Sequence, residues 1–276
     1  MSASEREPLL LITGFAITSK VFAPVLDLYA SRFDCVVFEN RGGLATSMPE
    51  LAADAARRLR AAGVESAHVY GISMGGMIAQ ELALRFPERV RGLVLAGTTP
   101  GGPRAFRPAV AELARGRWLF SPQFRREQPE RVRELLRYFE LRPAALWAHW
   151  WATVYHDTVS RLGQIQAPTL VLHGGADAMT PVANARLLAE RIPDAELAIV
   201  PGAGHAFPLE RPEESFARLT EWLDRRSPIP AGRPRTGLAA RAEPLTRALG
   251  LPIGAARTGA SLAGLAADRL RRRATA

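Results

Sequence analysis

The stretch "VYGISMGGMIAQELALRF", Val69 to Phe86, decides how the rest of the chain is read. An apolar run leads into Gly71-Ile72-Ser73-Met74-Gly75, and a helical pattern follows at once and stops before Pro87. A strand that turns directly into a helix at a serine forces that serine into a strained backbone conformation. The residues two positions away on either side must then be small, and Gly71 and Gly75 meet that demand. The helix N-terminus beneath Ser73 also favours the negative charge that develops in acyl transfer. The five letters recur by chance, however, so Ser73 reads as a nucleophile only if an acid and a base follow in suitable places.

Outward from this corner, apolar strands alternate with amphipathic helices. "PLLLIT" (8–13), "CVVFE" (35–39), "HVYGI" (68–72), "VRGLVLAG" (90–97), "PTLVLHG" (168–174) and "ELAIV" (196–200) read as strands. Helices are expected near 19–30, 50–62, 74–86, 182–191 and 213–225. Such alternation implies an α/β fold: a mostly parallel sheet with helices on both faces. The interval from Thr98 to about Ala167 breaks the pattern. It is rich in Arg and Trp, shows helical periodicity in "ERVRELLRYF" (130–139) and "ALWAHWWATVY" (145–155), and is too long and apolar for a structureless loop. It reads as a helical cap over the C-terminal ends of the strands, where open α/β sheets hold their ligands. The expected organisation is a core of residues 1–99 and 164–226, a cap of 100–163, and a Pro/Gly/Ala/Arg-rich tail of 227–276.

The net charge of +9 resembles a nucleic-acid signal until it is located. Eleven arginines against Glu243 and Asp268 put all of it after Asp224, and the preceding residues balance to zero. The body therefore has no net field to attract polyanions. The tail reads as a solvated, flexible extension, or alternatively as a short basic helix around "SLAGLAADRLRRR" (261–273) making weak contact with an anionic membrane or a protein partner. Cys35 is the only cysteine, which excludes a disulfide framework and a cysteine-rich metal site. "MSASEREP" lacks the basic and apolar regions of a secretory signal, so a cytoplasmic location is expected.

The acid and the base are present, in the order Ser, Asp, His. "LVLHGGADAMTP" places Asp177 just beyond one strand and "VPGAGHAFPLERPE" places His205 just beyond the last, both on the edge that carries Ser73. A serine hydroxyl is a weak nucleophile and needs a base oriented by a third group. His205 would take its proton, and Asp177 would fix the imidazole tautomer. His68 precedes its strand and lies at the wrong end of the sheet, and His173 lies inside a strand. His149 and His156 fall in the cap, where a structural role is expected ahead of one lining the pocket. Asp157 and Asp194 rank below Asp177 because one lies in the cap and the other before its strand. For an oxyanion, Met74 supplies one backbone N–H and the loop after the first strand, "TGF" (13–15), supplies a second from Phe15. No cofactor or metal is called for.

These residues resemble the α/β-hydrolase superfamily, in particular its small capped esterase and lactonase branch with the 3-oxoadipate enol-lactonase-like proteins. The resemblance runs from about Pro8 to Trp222. It rests on "TGF", "ENRGGLAT" (39–46), "GISMGG" (71–76), "APTLVLHGGADAMTP" (167–181) and "GAGHAFPLERPE" (202–213). It implies a cofactor-free hydrolase of a small-molecule ester or lactone, with Ser73, His205 and Asp177 as its triad. An acyltransferase, a cofactor-free haloperoxidase-like enzyme and a non-catalytic small-ligand receptor remain open as alternatives on the same fold. Three departures from the family pattern stand out. Thr13 occupies a place where many relatives have His. Glu39, Leu44 and Thr46 alter a turn motif in which Arg41 is expected to be a structural brace. The chain also begins directly at the strand that relatives reach after an N-terminal β-hairpin, a hairpin either absent here or lost through a misassigned start. Trp147, Trp150 and Trp151 read as cap core, with at least one facing the substrate pocket beside Phe15 and Met74. A substrate carboxylate would need an arginine from the cap, such as Arg104, Arg117, Arg125 or Arg142.

Overall fold

Alternate side chains of a strand point to opposite faces, so a run apolar at every position needs cover on both sides. In the computed structural model, which describes residues 6–41, 46–102 and 118–226, the strands are β1 Pro8–Ile12, β2 Asp34–Val37, β3 Ala67–Ile72, β4 Val90–Ala96, β5 Thr169–Gly174 and β6 Ala195–Val200. The helices, in chain order, are α1 Ala23–Ala30, α2 Met48–Ala61, α3 Met74–Arg85, α4 Pro122–Glu127, α5 Pro129–Leu136, α6 Leu146–Val154, α7 Val182–Arg191, α8 Phe207–Glu210 and α9 Pro212–Arg226. Leu10, Ile12, Val69, Leu93, Leu95 and Val171 share one face with buried residues of α2, α3 and α7. Tyr70, offset by one position, turns to the other face, where its ring meets Tyr29 of α1 at 5.7 Å; Tyr29 in turn meets Phe216 of α9 at 5.3 Å. Each fully buried leucine of β1 contributes about 1.5–3 kcal/mol relative to exposure.

The strands form one sheet in the order β2-β1-β3-β4-β5-β6, with every neighbouring pair parallel. The chain leaves β1 toward β2 on one side and β3 toward β4 on the other. The connections after β1 and β3 therefore run to opposite sides, the topological arrangement at whose carboxyl edge open α/β sheets take ligands. Cys35 lies buried in β2, and burial pushes its thiol up to about 12, so it is not a nucleophile at neutral pH.

Local chemistry explains where helices differ from the sequence expectation. The first helical region is split into a 3₁₀ turn, Ser19–Phe22, and α1, because Pro24 has no N–H with which to continue an α-helical ladder. α2 starts two residues earlier than its apolar periodicity suggested, since Ser47 and Glu50 form a reciprocal capping box: the Ser47 N–H donates to Glu50 Oε2 at 2.7 Å.

The segment between β4 and β5 carries α4, α5 and α6 and is tied to the rest of the core at several places. On its C-terminal side Thr158 Oγ1 donates to Gln80 Oε1 at 2.5 Å, and Arg161 pairs with the buried Glu81 of α3. Burial alone would raise the Glu81 carboxyl, but hydrogen bonds from Arg161 and Arg85 outweigh it and hold the group below its usual range. Earlier in the segment, the Thr18 N–H donates to Glu140 O at 3.0 Å and the Arg142 N–H to Ala16 O at 2.7 Å, and Ile17 bridges to Leu141. The insertion thus clasps the loop that follows β1. The tail from residue 227, Leu44 of the turn motif, and Arg104 and Arg117 of the insertion lie outside the described residues. No helix among the described residues is long and apolar enough to cross a membrane.

Candidate active site

Ser73 is one of three described non-glycine residues with a left-handed backbone, at φ 56° and ψ −123°. That strain persists because the corner is pinned on both sides. The Ser73 N–H donates to Ala96 O at 2.9 Å, and Thr98 Oγ1 donates to Ser73 O at 2.7 Å. Behind the corner α3 runs against β1 so closely that a methyl group on Gly75 would lie 2.2 Å from Ile12 O and 2.6 Å from Thr13 O. Both obstacles are backbone and cannot rotate away. Gly75→Ala is therefore expected to lower the unfolding free energy by about 1–3 kcal/mol or more, read as a reduced urea midpoint; an unchanged midpoint would show that β1 and α3 part freely.

Asp177 and His205 meet at the same edge. His205 Nδ1 lies 2.8 Å from Asp177 Oδ2, and both side chains are buried. The other carboxylate oxygen, Oδ1, accepts the Met179 N–H at 2.8 Å and the Thr180 N–H at 2.7 Å. His173 Nε2 donates to Thr180 O at 2.7 Å and stands 3.4 Å from Asp177 Oδ2; burial holds its ring below the usual imidazole value, so it is neutral. A carboxylate on Nδ1 keeps the proton of neutral His205 at that nitrogen and leaves the Nε2 lone pair available.

The strand-end Ala96-Gly97-Thr98 joins Ser73 to this pair. Ala96 and Thr98 hold the serine backbone, and between them a side chain on Gly97, at φ 51°, would lie 3.5 Å from both Asp177 Oδ2 and His205 Nδ1. From the other side comes the loop after β1. A methyl group on Gly14 would touch Ser73 Cβ at 3.4 Å, so this loop packs directly against the Ser73 corner. That loop is braced by Asn40, whose Nδ2 donates to Thr13 O at 2.9 Å and to Thr13 Oγ1 at 3.0 Å. Glu39 accepts both the N–H and the hydroxyl of Ser19. Arg41, expected to be the brace, is itself exposed; its neighbours do this work because the short Asn40 amide reaches a buried carbonyl.

The tryptophans of α6 correct another expectation. Trp147, Trp150 and Trp151 are 71%, 54% and 46% exposed, so they are not the core of the insertion. They share one face with Val154 and Tyr155, and that face is turned to solvent. Ala148, His149 and Ala152 form the packed side instead. Trp151 alone borders the cavity of about 420 Å³ formed by Met48, Glu81, Tyr155, His156 and Arg161 among others, and that lining includes none of Ser73, Asp177 and His205. Arg142, one candidate for a substrate carboxylate, donates to Asn40 O at 2.7 Å. His68 sits at the far end of the sheet near Glu7. Asp194 pairs with Arg226, and Asp157 accepts the Val159 N–H.

Glu210 has a role that the sequence reading missed, although it lies within the quoted "GAGHAFPLERPE". Its buried carboxylate accepts the N–H groups of Gly204 and Ser121, each at 3.0 Å, and the Ser121 hydroxyl. It ties the His205 loop to the start of α4. Trp118, just before, lays its ring edge-on to His205 at 6.3 Å.

Comparison with known proteins agrees with this fold. A model of an alpha/beta hydrolase family matches residues 9–219. The pimeloyl-(acyl-carrier protein) methyl ester esterase of Chromobacterium violaceum is 32% identical over 79% of this chain and 94% of its own. The 3-oxoadipate enol-lactonase 2 of Acinetobacter baylyi is 26% identical over 81% and 90%. A thermophilic esterase structure from Thermogutta terrifontis superposes with a TM-score of 0.67 at 26% identity, covering 79% of this chain and 90% of that one. On the parallel sheet and on a sequence match that spans most of its length, the chain belongs to the alpha/beta hydrolase family.

Proposed function

We propose that the protein hydrolyses a carboxylic ester or lactone through an acyl-enzyme on Ser73. The observation that carries this reading is the buried Asp177–His205 pair, 2.8 Å apart, joined through Gly97 to the strand-end that pins the strained Ser73 corner. In this mechanism Ser73 Oγ attacks the substrate carbonyl while His205 Nε2 takes its proton. Asp177 stabilises the resulting imidazolium. The oxyanion is received by the backbone N–H groups of Met74 and Phe15, each donor contributing about 3–4 kcal/mol of transition-state stabilisation. His205 then protonates the leaving alcohol; in a lactone that alcohol stays attached to the acyl group. Water, deprotonated by His205, attacks the acyl-enzyme and releases the acid and Ser73. The insertion with α4 to α6 serves as the cap over this edge.

The ester and lactone classes are supported by relatives that include a methyl ester esterase and an enol-lactonase. Of the arginines that could meet a substrate carboxylate, Arg142 is engaged by the Asn40 carbonyl. Mass spectrometry after treatment with a fluorophosphonate is the test. A single adduct on Ser73, absent from Ser73→Ala, is expected, followed by turnover of members of an ester and lactone panel. A folded protein that takes no adduct would replace the hydrolase reading with that of a small-ligand receptor.

A further inference from the structure

We infer that His149 is the positioning residue of the oxyanion loop: its Nδ1 holds the Ala16 amide, and through it sets the direction of the Phe15 N–H. This rests on the proposed serine mechanism and adds to it a residue contributed by the insertion. Ala16 lies in the left-handed region at φ 49° and is fully buried. An amide in such a turn joins neither a strand ladder nor a helix, yet a buried N–H needs an acceptor. It finds His149 Nδ1 at 3.0 Å, from a residue 133 positions later in the chain.

Phe15 is restrained from this side as well as from the Asn40 side. On the preceding side Asn40 holds the Thr13 carbonyl, but Gly14, which stands between it and Phe15, has no Cβ to limit its own torsions. Ala16, which follows, is held at both ends: its N–H by His149 and its C=O by the Arg142 N–H at 2.7 Å. The His149 ring also meets the Phe15 ring edge-on, with centroids 6.1 Å apart. An Nδ1 that accepts must carry no proton. Burial and the Arg142 guanidinium both hold His149 below the usual imidazole value, which keeps the ring neutral. His149 does not contact the reacting atoms in this account; it acts by aiming a donor that does.

Turnover of p-nitrophenyl acetate by His149→Leu, His149→Asn and His149→Gln, normalised to the Ser73 sites that a fluorophosphonate labels, tests the inference. A misdirected oxyanion donor weakens the transition state and spares the ground state. His149→Leu is therefore expected to lose about 10- to 100-fold in kcat with KM changed by no more than about twofold. The asparagine oxygen stands where Nδ1 stood, so His149→Asn is expected to recover most of that loss, while glutamine carries its amide one carbon too far and does not. A merely structural histidine would give no such ranking. Wild-type kcat in His149→Leu, or equal losses in asparagine and glutamine, overturns the inference. Should the leucine variant not fold, the asparagine and glutamine pair decides alone. Absence of any adduct on the wild-type protein removes the serine mechanism and this inference together, before any variant is compared.

Discussion

Ser73→Ala is expected to lower turnover of an activated ester by at least about 10⁴-fold and to leave the melting temperature close to that of the wild type. The two halves of this expectation come from different features of the corner. The hydroxyl is the only group there that can form the acyl bond, and a nucleophile that acts as part of a unit costs nearly the whole catalytic advantage when it is removed. The fold, by contrast, is held by the Ser73 backbone, through Ala96 O and Thr98 Oγ1, and the serine side chain does not cap α3. Alanine has the same Cβ in the same left-handed conformation, so the strain at the corner is unchanged. Steady-state kinetics and a thermal melt check both halves. Near-normal turnover in the variant would end the acyl-enzyme reading, and a large fall in melting temperature would mean that lost activity reports lost structure.

What the sequence disclosed and what it withheld divide along the range of the interactions. The six strands and the corner at Ser73 were legible because each depends on neighbours in the chain: continuous apolar runs, a glycine two residues either side, a proline that stops α3. Their order along the chain then placed Asp177 and His205 at one edge of a parallel sheet. The outward turn of the α6 tryptophans was not legible. A spacing of three and four residues shows that Trp147, Trp150 and Trp151 share a helical face, but not what that face meets, and the small residues Ala148 and Ala152 proved to be the packed side. Asn40, Glu210 and His149 escaped for a related reason. Each satisfies backbone N–H or C=O groups that lie far away in the chain: Asn40 at Thr13, Glu210 at Ser121, His149 at Ala16. Main-chain acceptors and donors leave no residue-type signature, so no pairing of side chains in the sequence could have pointed to them.

Asp177→Asn carries the second large effect, expected as a fall of about 10³- to 10⁴-fold in kcat with the protein folded and Ser73 in place. The direction of the new amide is dictated by the surroundings. Oδ1 of Asp177 receives two backbone donors, Met179 N–H and Thr180 N–H, at 2.8 and 2.7 Å. An amide nitrogen cannot accept them, so the asparagine oxygen takes that side and its NH₂ turns toward His205 Nδ1. The imidazole must then accept at Nδ1, which moves its proton to Nε2, the atom required to be bare when Ser73 gives up its own proton. Geometry survives while the tautomer is inverted, and the loss comes with little change in KM because substrate binding does not use that proton. His173 adds to the argument. Its Nε2 is committed to Thr180 O, so it cannot swing over to supply the missing acceptor. Raising the pH is expected to restore little activity, since the defect is the position of a proton rather than its loss. Full activity in Asp177→Asn at neutral pH would show that His205 is oriented by another group and would remove Asp177 from the mechanism.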